Sequence, residues 1–145
     1  PMTDTILIGI DGSKAGEHAV NFAVSQAKSA DTSLVLAYVV EWSPYTFNTP
    51  EENEQRHLRR KEEIKTAQER VLDPILQSLE SQGVKALGVV RHGQVADVLL
   101  QIAKAHGAGQ IVVGRIGHSG ITSLLFGSVA TKLIQLAHVP VTIVP

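Results

Sequence analysis

The segment VVGRIGHSGITSLLFGSVATKL, residues 112–133, begins as an apolar strand, breaks into glycines and resumes as a helix. Gly114, Gly117 and Gly120 fall at intervals of three, and Gly127-Ser128 open the next periodic stretch. Glycines between a strand and a helix allow positive φ and let backbone N–H groups approach an anion closely. A helix N-terminus adds free N–H donors and a partial positive charge. The segment therefore reads as a phosphate-binding strand, loop and helix, with Ser128 serving also as an N-cap.

Working outward, the flanking sequence alternates strand with helix. Thr5 to Ile10 is a short apolar run closed by Asp11-Gly12-Ser13, a buried strand and its turn. With Ser13 as N-cap, Lys14 to Ala30 places Ala19, Phe22, Ala23 and Ala27 at helical spacing. Ser33 to Val40 is a second buried strand, of the continuous apolar kind that parallel sheets need. Ser43-Pro44 marks a loop. Thr49, Pro50 and Glu52 then form a capping box with proline at the first helical position. From Glu51 to Glu63 nearly every residue is polar or charged, and an inward stripe begins only at Ile64. It continues through Ala67, Val71, Leu72, Ile75, Leu76 and Leu79, with a kink expected at Pro74 and an end at Gly83.

Val84 to Arg91 reads as a third strand, polar enough for a sheet edge. Val95, Val98, Leu99, Ile102, Ala103 and His106 give a helical stripe closed by Gly107. Gln110 to Val113 is the fourth strand. Ser128 to His138 is a helix with Val129, Leu133, Ile134 and Ala137 inward, and Val141 to Val144 is the fifth strand. This order predicts an α/β fold, one domain over residues 1–145: a parallel sheet with right-handed crossovers and helices on both faces.

The bulk numbers narrow the function. The 145 residues are 43% hydrophobic and 19% charged, as in ordinary globular chains. A net charge of −1 offers no broad basic field for nucleic acid or anionic lipid. With no cysteine there are no disulfides, thiol nucleophiles or thiolate metal sites, which fits a cytoplasmic home. No apolar run approaches the roughly 18 residues of a membrane span, and no signal peptide is evident at the start.

Ligands of open parallel sheets bind beyond the strand carboxyl ends, where the strand order reverses. Asp11-Gly12 follows strand one and the glycine loop follows strand four, so neighbouring strands would bring both to one crevice. The loop is neither a P-loop nor GxGxxG. The six histidines are scattered, though His92, just before a turn glycine, is a site candidate or a surface residue. The charged run 51–63 is either a solvated helix face or a lid or partner surface.

The spacing Gly114, two residues, Gly117, nine residues, Gly127-Ser128 resembles that of the ATP-binding members of the universal stress protein family. The likeness spans the chain: ILIGIDGS, LAYVVEW, RHGQVADVLLQIAK and HVPVTIV are similar to the family's strand ends and turns. The resemblance implies a Rossmann-like five-stranded sheet in the order 3-2-1-4-5. It implies that Asp11 and Gly12 lie at the nucleotide, with the Asp11 carboxylate on ribose or on Mg²⁺ bound to the phosphates. Val39 would offer its backbone to adenine. Gly114, Arg115, Gly117 and His118 would line ribose and phosphates, and Gly127, Ser128 and Val129 would hold phosphates. It also implies a homodimer through the last strand, with Val141, Ile143 and Val144 at the edge.

Three functions follow as expectations. The first is a cytoplasmic stress-response regulator in which ATP, ADP or AMP switches conformation or choice of a protein partner. The second is a slow ATP hydrolase. Paired carboxylates, a nucleophile–base pair and a P-loop lysine are all missing, so any turnover would be weak. The third is a dimeric adapter with a vestigial pocket.

Overall fold

The computed structural model describes residues 4–11, 14–27, 31–41, 49–115 and 126–145. The strands are β1 (Thr5–Ile10), β2 (Ser33–Glu41), β3 (Lys85–Gly93), β4 (Gln110–Gly114) and β5 (Val141–Val144). All neighbours pair in parallel, in the order β3-β2-β1-β4-β5. The helices are α1 (Lys14–Gln26), α2 (Pro50–Ala67), α3 (Asp73–Ser81), α4 (Val95–Ala105) and α5 (Thr131–Leu136). The readings at Ser13, Ala30 and Ser43-Pro44 lie outside the described residues.

The period-two pattern of the central strands sorts their side chains onto two faces. Ile6, Ile8 and Ile10 of β1 join Leu34 and Leu36 of β2 and Val112 of β4 on one face, packed with Ala19, Val20 and Ala23 of α1 and Leu79 of α3. Leu7, Val35, Ala37, Ile111 and Val113 point the other way, into Val98, Leu99 and Ile102 of α4 and Leu133 of α5. The helices thus cover both faces, and β1 and β4 sit side by side at the reversal of strand order. Gly9 permits the close approach of α4, since a Cβ there would stand 3.0 Å from Val113 Cγ1 and 3.1 Å from Leu99 Cδ1.

β3 is an edge strand, as its polarity suggested. It runs to Gly93 rather than Arg91, because it pairs with β2 along its whole length, from Ser33↔Lys85 to Glu41↔Gly93. Thr49 caps α2 as read: its Oγ1 accepts a hydrogen bond from the Glu52 N–H at 3.1 Å, and Pro50 is the first helical residue. Gly83 and Gly107 end α3 and α4 with φ of 77° and 64°.

At Pro74 the helix is irregular, as a proline inside it demands: it cannot donate to the carbonyl four residues back, and its ring crowds that carbonyl. The ladder opens just upstream into a π-helical segment, Gln68–Leu72, where the Asp73 N–H reaches the Gln68 carbonyl, and helical conformation continues into α3. Two readings need correction. Ser128 is not an N-cap, since it lies inside a second π-helical segment, Phe126–Ala130, that leads into α5. Ile134 is not inward. The short α5 meets the core through Leu133, flanked by Ala130 and Ala137. Ile134 stands about 100° round from Leu133 and is 58% exposed.

Candidate nucleotide site

Strand register aligns the site residues before any side chain is considered. Ile10 pairs with Tyr38, and Gly9 with Val113. One further step along β2, and two along β4, set Asp11 level with Val39 and Arg115 at the carboxyl edge. Asp11 is half-buried against the first turn of α1, where a Cβ on Gly16 would be 3.8 Å from its Oδ1. It also takes part in a further interaction within the chain. Gly114 is half-buried and pairs with Val144 of β5. The Arg115 N–H is committed to the Val144 carbonyl at 2.7 Å, so it is not a donor for a ligand, while the residue itself is exposed.

A cavity of about 230 Å³ opens at this edge on the α4 face. Glu41 and Gly93, a register pair at the ends of β2 and β3, form its rim. Gln94, Val95 and Ala96 of the α4 start form one wall, and Ser128, Val129 and Lys132 form the other. The α4 start suits a polar ligand. Its first helical bond runs from the Val98 N–H to the Gln94 carbonyl, and Gln94 makes no side-chain cap. The N–H groups of Val95, Ala96 and Asp97 therefore lack helical acceptors. Lys132 ties the walls together, with Nζ 3.0 Å from Asp97 Oδ1 and 3.5 Å from Gln94 Oε1.

Gly93 turns the chain from β3 into α4 with φ of 152°. A Cβ there would come within 2.7 Å of Val98 Cγ2. The glycine is therefore required both by backbone conformation and by packing.

Of the residues expected from sequence, Ser128 and Val129 line this cavity, while Asp11, Val39, Gly114 and Arg115 share the same strand edge. Gly127 lies in the π-helical segment beside Ser128. Gly12, Gly117, His118 and Gly120 lie outside the described residues. His92 does not join the cavity. It follows Val90 on the opposite face and lies near Arg60 and Glu63 of α2. Burial first, and the Arg60 charge second, push its pKa below the usual 6.5, with Glu63 opposing them. Among the described residues no cluster of three or more His, Cys, Asp or Glu side chains could hold a metal. No described helix is long and apolar enough to cross a membrane.

Glu41, Gly93, Gln94, Val95, Ala96 and Lys132 were not among the expected site residues. The signal for most of them was present in RHGQVAD, a glycine between a strand and a helix. The rule that ligands gather at strand carboxyl ends applies to β3 as well as to β1 and β4.

A doubly wound parallel sheet with a cavity at the carboxyl edge of its strands defines an α/β class whose ligands bind at that edge. The chain belongs to the universal stress protein family, whose model matches residues 2–145. The universal stress protein YxiE of Bacillus subtilis is 32% identical over 152 residues, covering 99% of each chain. The structure of universal stress protein UspA from Lactobacillus plantarum superposes with a TM-score of 0.84 at 22% identity, covering 100% of this chain and 99% of that one. A universal stress protein from Archaeoglobus fulgidus in complex with dAMP matches with a TM-score of 0.63 at 20% identity, covering 99% and 100%.

Proposed function

We propose that this chain is an adenine-nucleotide-binding regulator of the universal stress class, with ATP as the ligand that sets its conformation or its choice of partner. The observation that carries the reading is the cavity at the carboxyl edge of the strands. It has Ser128 and Val129 on one wall and an uncapped helix start on the other. The dAMP complex of the Archaeoglobus relative supports a nucleotide in this fold. Phosphates would be held by backbone N–H groups and the Ser128 hydroxyl. Val39 would meet adenine, and Asp11 would meet ribose or a Mg²⁺ carried by the phosphates. A carboxylate oxygen is a fitting ligand for Mg²⁺, which prefers hard oxygen donors. Gly117 and His118 complete the proposed site.

The test is to purify the protein without added nucleotide, denature it and identify any released small molecule by chromatography and mass. Mg-ATP is then titrated while melting is followed. Ligand at a hundred times its Kd adds about 2.7 kcal/mol to stability. Asp11→Ala and Gly117→Val should each lose most of that shift while keeping the fold. An unchanged shift in both variants would remove the proposed site. Turnover above about 1 s⁻¹, the low end for kinases, would replace the binding reading with an enzymatic one.

β5 is the other edge of the sheet, and its four residues are all only half-buried. This favours a homodimer through Val141, Ile143 and Val144. Sedimentation at micromolar concentration should give twice the chain mass, and a monomer with or without nucleotide would refute it.

A further inference from the structure

Among the described residues that line the cavity, Lys132 carries the positive charge and Glu41 the negative one. They stand apart in the fold. Glu41 ends β2 on the strand rim, whereas Lys132 shares its wall with Ser128 and Val129. Lys132 follows Ser128 by four residues, across the joint where the π-helical segment Phe126–Ala130 runs into α5. Helical side chains lean toward the helix N-terminus, so this lysine reaches back over the turn that carries Ser128. From the opposite wall, Asp97 Oδ1 stands 3.0 Å from its Nζ and Gln94 Oε1 stands 3.5 Å away. The ammonium is thus held between the Ser128 turn and the first turn of α4.

The pair that holds Lys132 is easily exchanged. Both side chains are exposed to solvent, and ion pairs of that kind contribute little. A phosphate group carries up to about two negative charges, more than the single charge of Asp97. Lysine meets it with three donors on a flexible stem. Asp97 also keeps a favourable setting once the lysine has left. It lies in the first turn of α4, where free N–H groups and the helix dipole stabilise a carboxylate.

We propose that Lys132 recognises the phosphates of the nucleotide and that Asp97 holds it until they arrive. A phosphate beside Ser128 takes the ammonium from the carboxylate, and the link between α4 and α5 opens as the ligand binds. The inference rests on the nucleotide reading above and adds two residues and a regulatory step that it does not contain. Phosphate, rather than the base, is then the part of the ligand that moves the protein. A nucleoside without phosphate leaves the ion pair closed.

The test is calorimetric titration of the full chain with Mg-ATP and with adenosine, repeated for Lys132→Gln, Asp97→Asn and the double variant. Lys132→Gln should lose about ten-fold in ATP affinity, equivalent to about 1.4 kcal/mol, while adenosine affinity stays within about two-fold. Lys132→Arg keeps the charge and should recover most of the loss. Asp97→Asn releases the ammonium and should gain about three-fold for ATP. Most of that gain should vanish in the Lys132→Gln background, whereas plain repulsion between Asp97 and phosphate would act in both backgrounds alike. Unchanged ATP affinity in Lys132→Gln would overturn the phosphate role alone, and so would an equal loss for adenosine. No gain from Asp97→Asn, or a gain that survives in full without Lys132, would overturn the exchange. A parent chain that binds neither ligand would overturn the nucleotide reading and this inference with it.

Discussion

Gly93→Ala tests the strand-to-helix joint that forms the cavity rim. Two costs combine there. Alanine must take a φ of 152°, which side chains rarely adopt, at about 1–3 kcal/mol. Its Cβ must also share space with Val98 Cγ2 at 2.7 Å, inside ordinary contact distance. Val98 is β-branched, 6% exposed and held on a buried helix face, so it cannot easily turn aside. Overpacking of this kind costs about 1–3 kcal/mol. The single variant should therefore lose about 3 kcal/mol, a fall in Tm of roughly 6–12 °C for a chain of this length. Val98→Ala alone removes two methyl groups and should cost about 2 kcal/mol. In the double variant the overlap disappears while the φ strain remains, so the losses should fall short of their sum by about 1–2 kcal/mol. Urea unfolding of all four proteins closes the cycle. Additivity within about 0.5 kcal/mol would show that Val98 does not confine Gly93, and that the joint is set by backbone conformation alone.

Three further outcomes follow from the same geometry. Thr49→Ala removes the cap of α2 and is worth about 1 kcal/mol to that helix. Because residues 50–55 are all exposed, the loss should appear as faster amide exchange over the first turns of α2, with little change in global unfolding. Lys132→Ala breaks an exposed pair with Asp97 (side chains 41% and 42% exposed). It should shift stability by less than about 1 kcal/mol, so a larger loss would mean that the contact spanning the cavity walls is stronger than an exposed ion pair. His92 ties stability to pH. Its pKa is lowered in the fold, so the unfolded chain binds the proton first as pH falls. Stability should decline from about pH 6.5 downward and level off below the folded pKa. His92→Gln should flatten that slope, and an unchanged slope would assign it to another residue.

The fold was legible because the sheet is central and doubly covered. Strands such as SLVLAYVV are buried on both faces and show as unbroken apolar runs. The interposed stripes of α3 and α4 have clear helical spacing. Errors occurred where a local rule met a competing constraint. Ile134 fits a helical period, but α5 is too short and too marginal to bury a second row.

The site was less legible, for a related reason. Glycine spacing reports on a loop along the chain, whereas a cavity is assembled across it. Asp11, Val39 and Arg115 become level only through the registers of β1 with β2 and of β1 with β4. Gln94 and Lys132 meet only because α4 and α5 share a face.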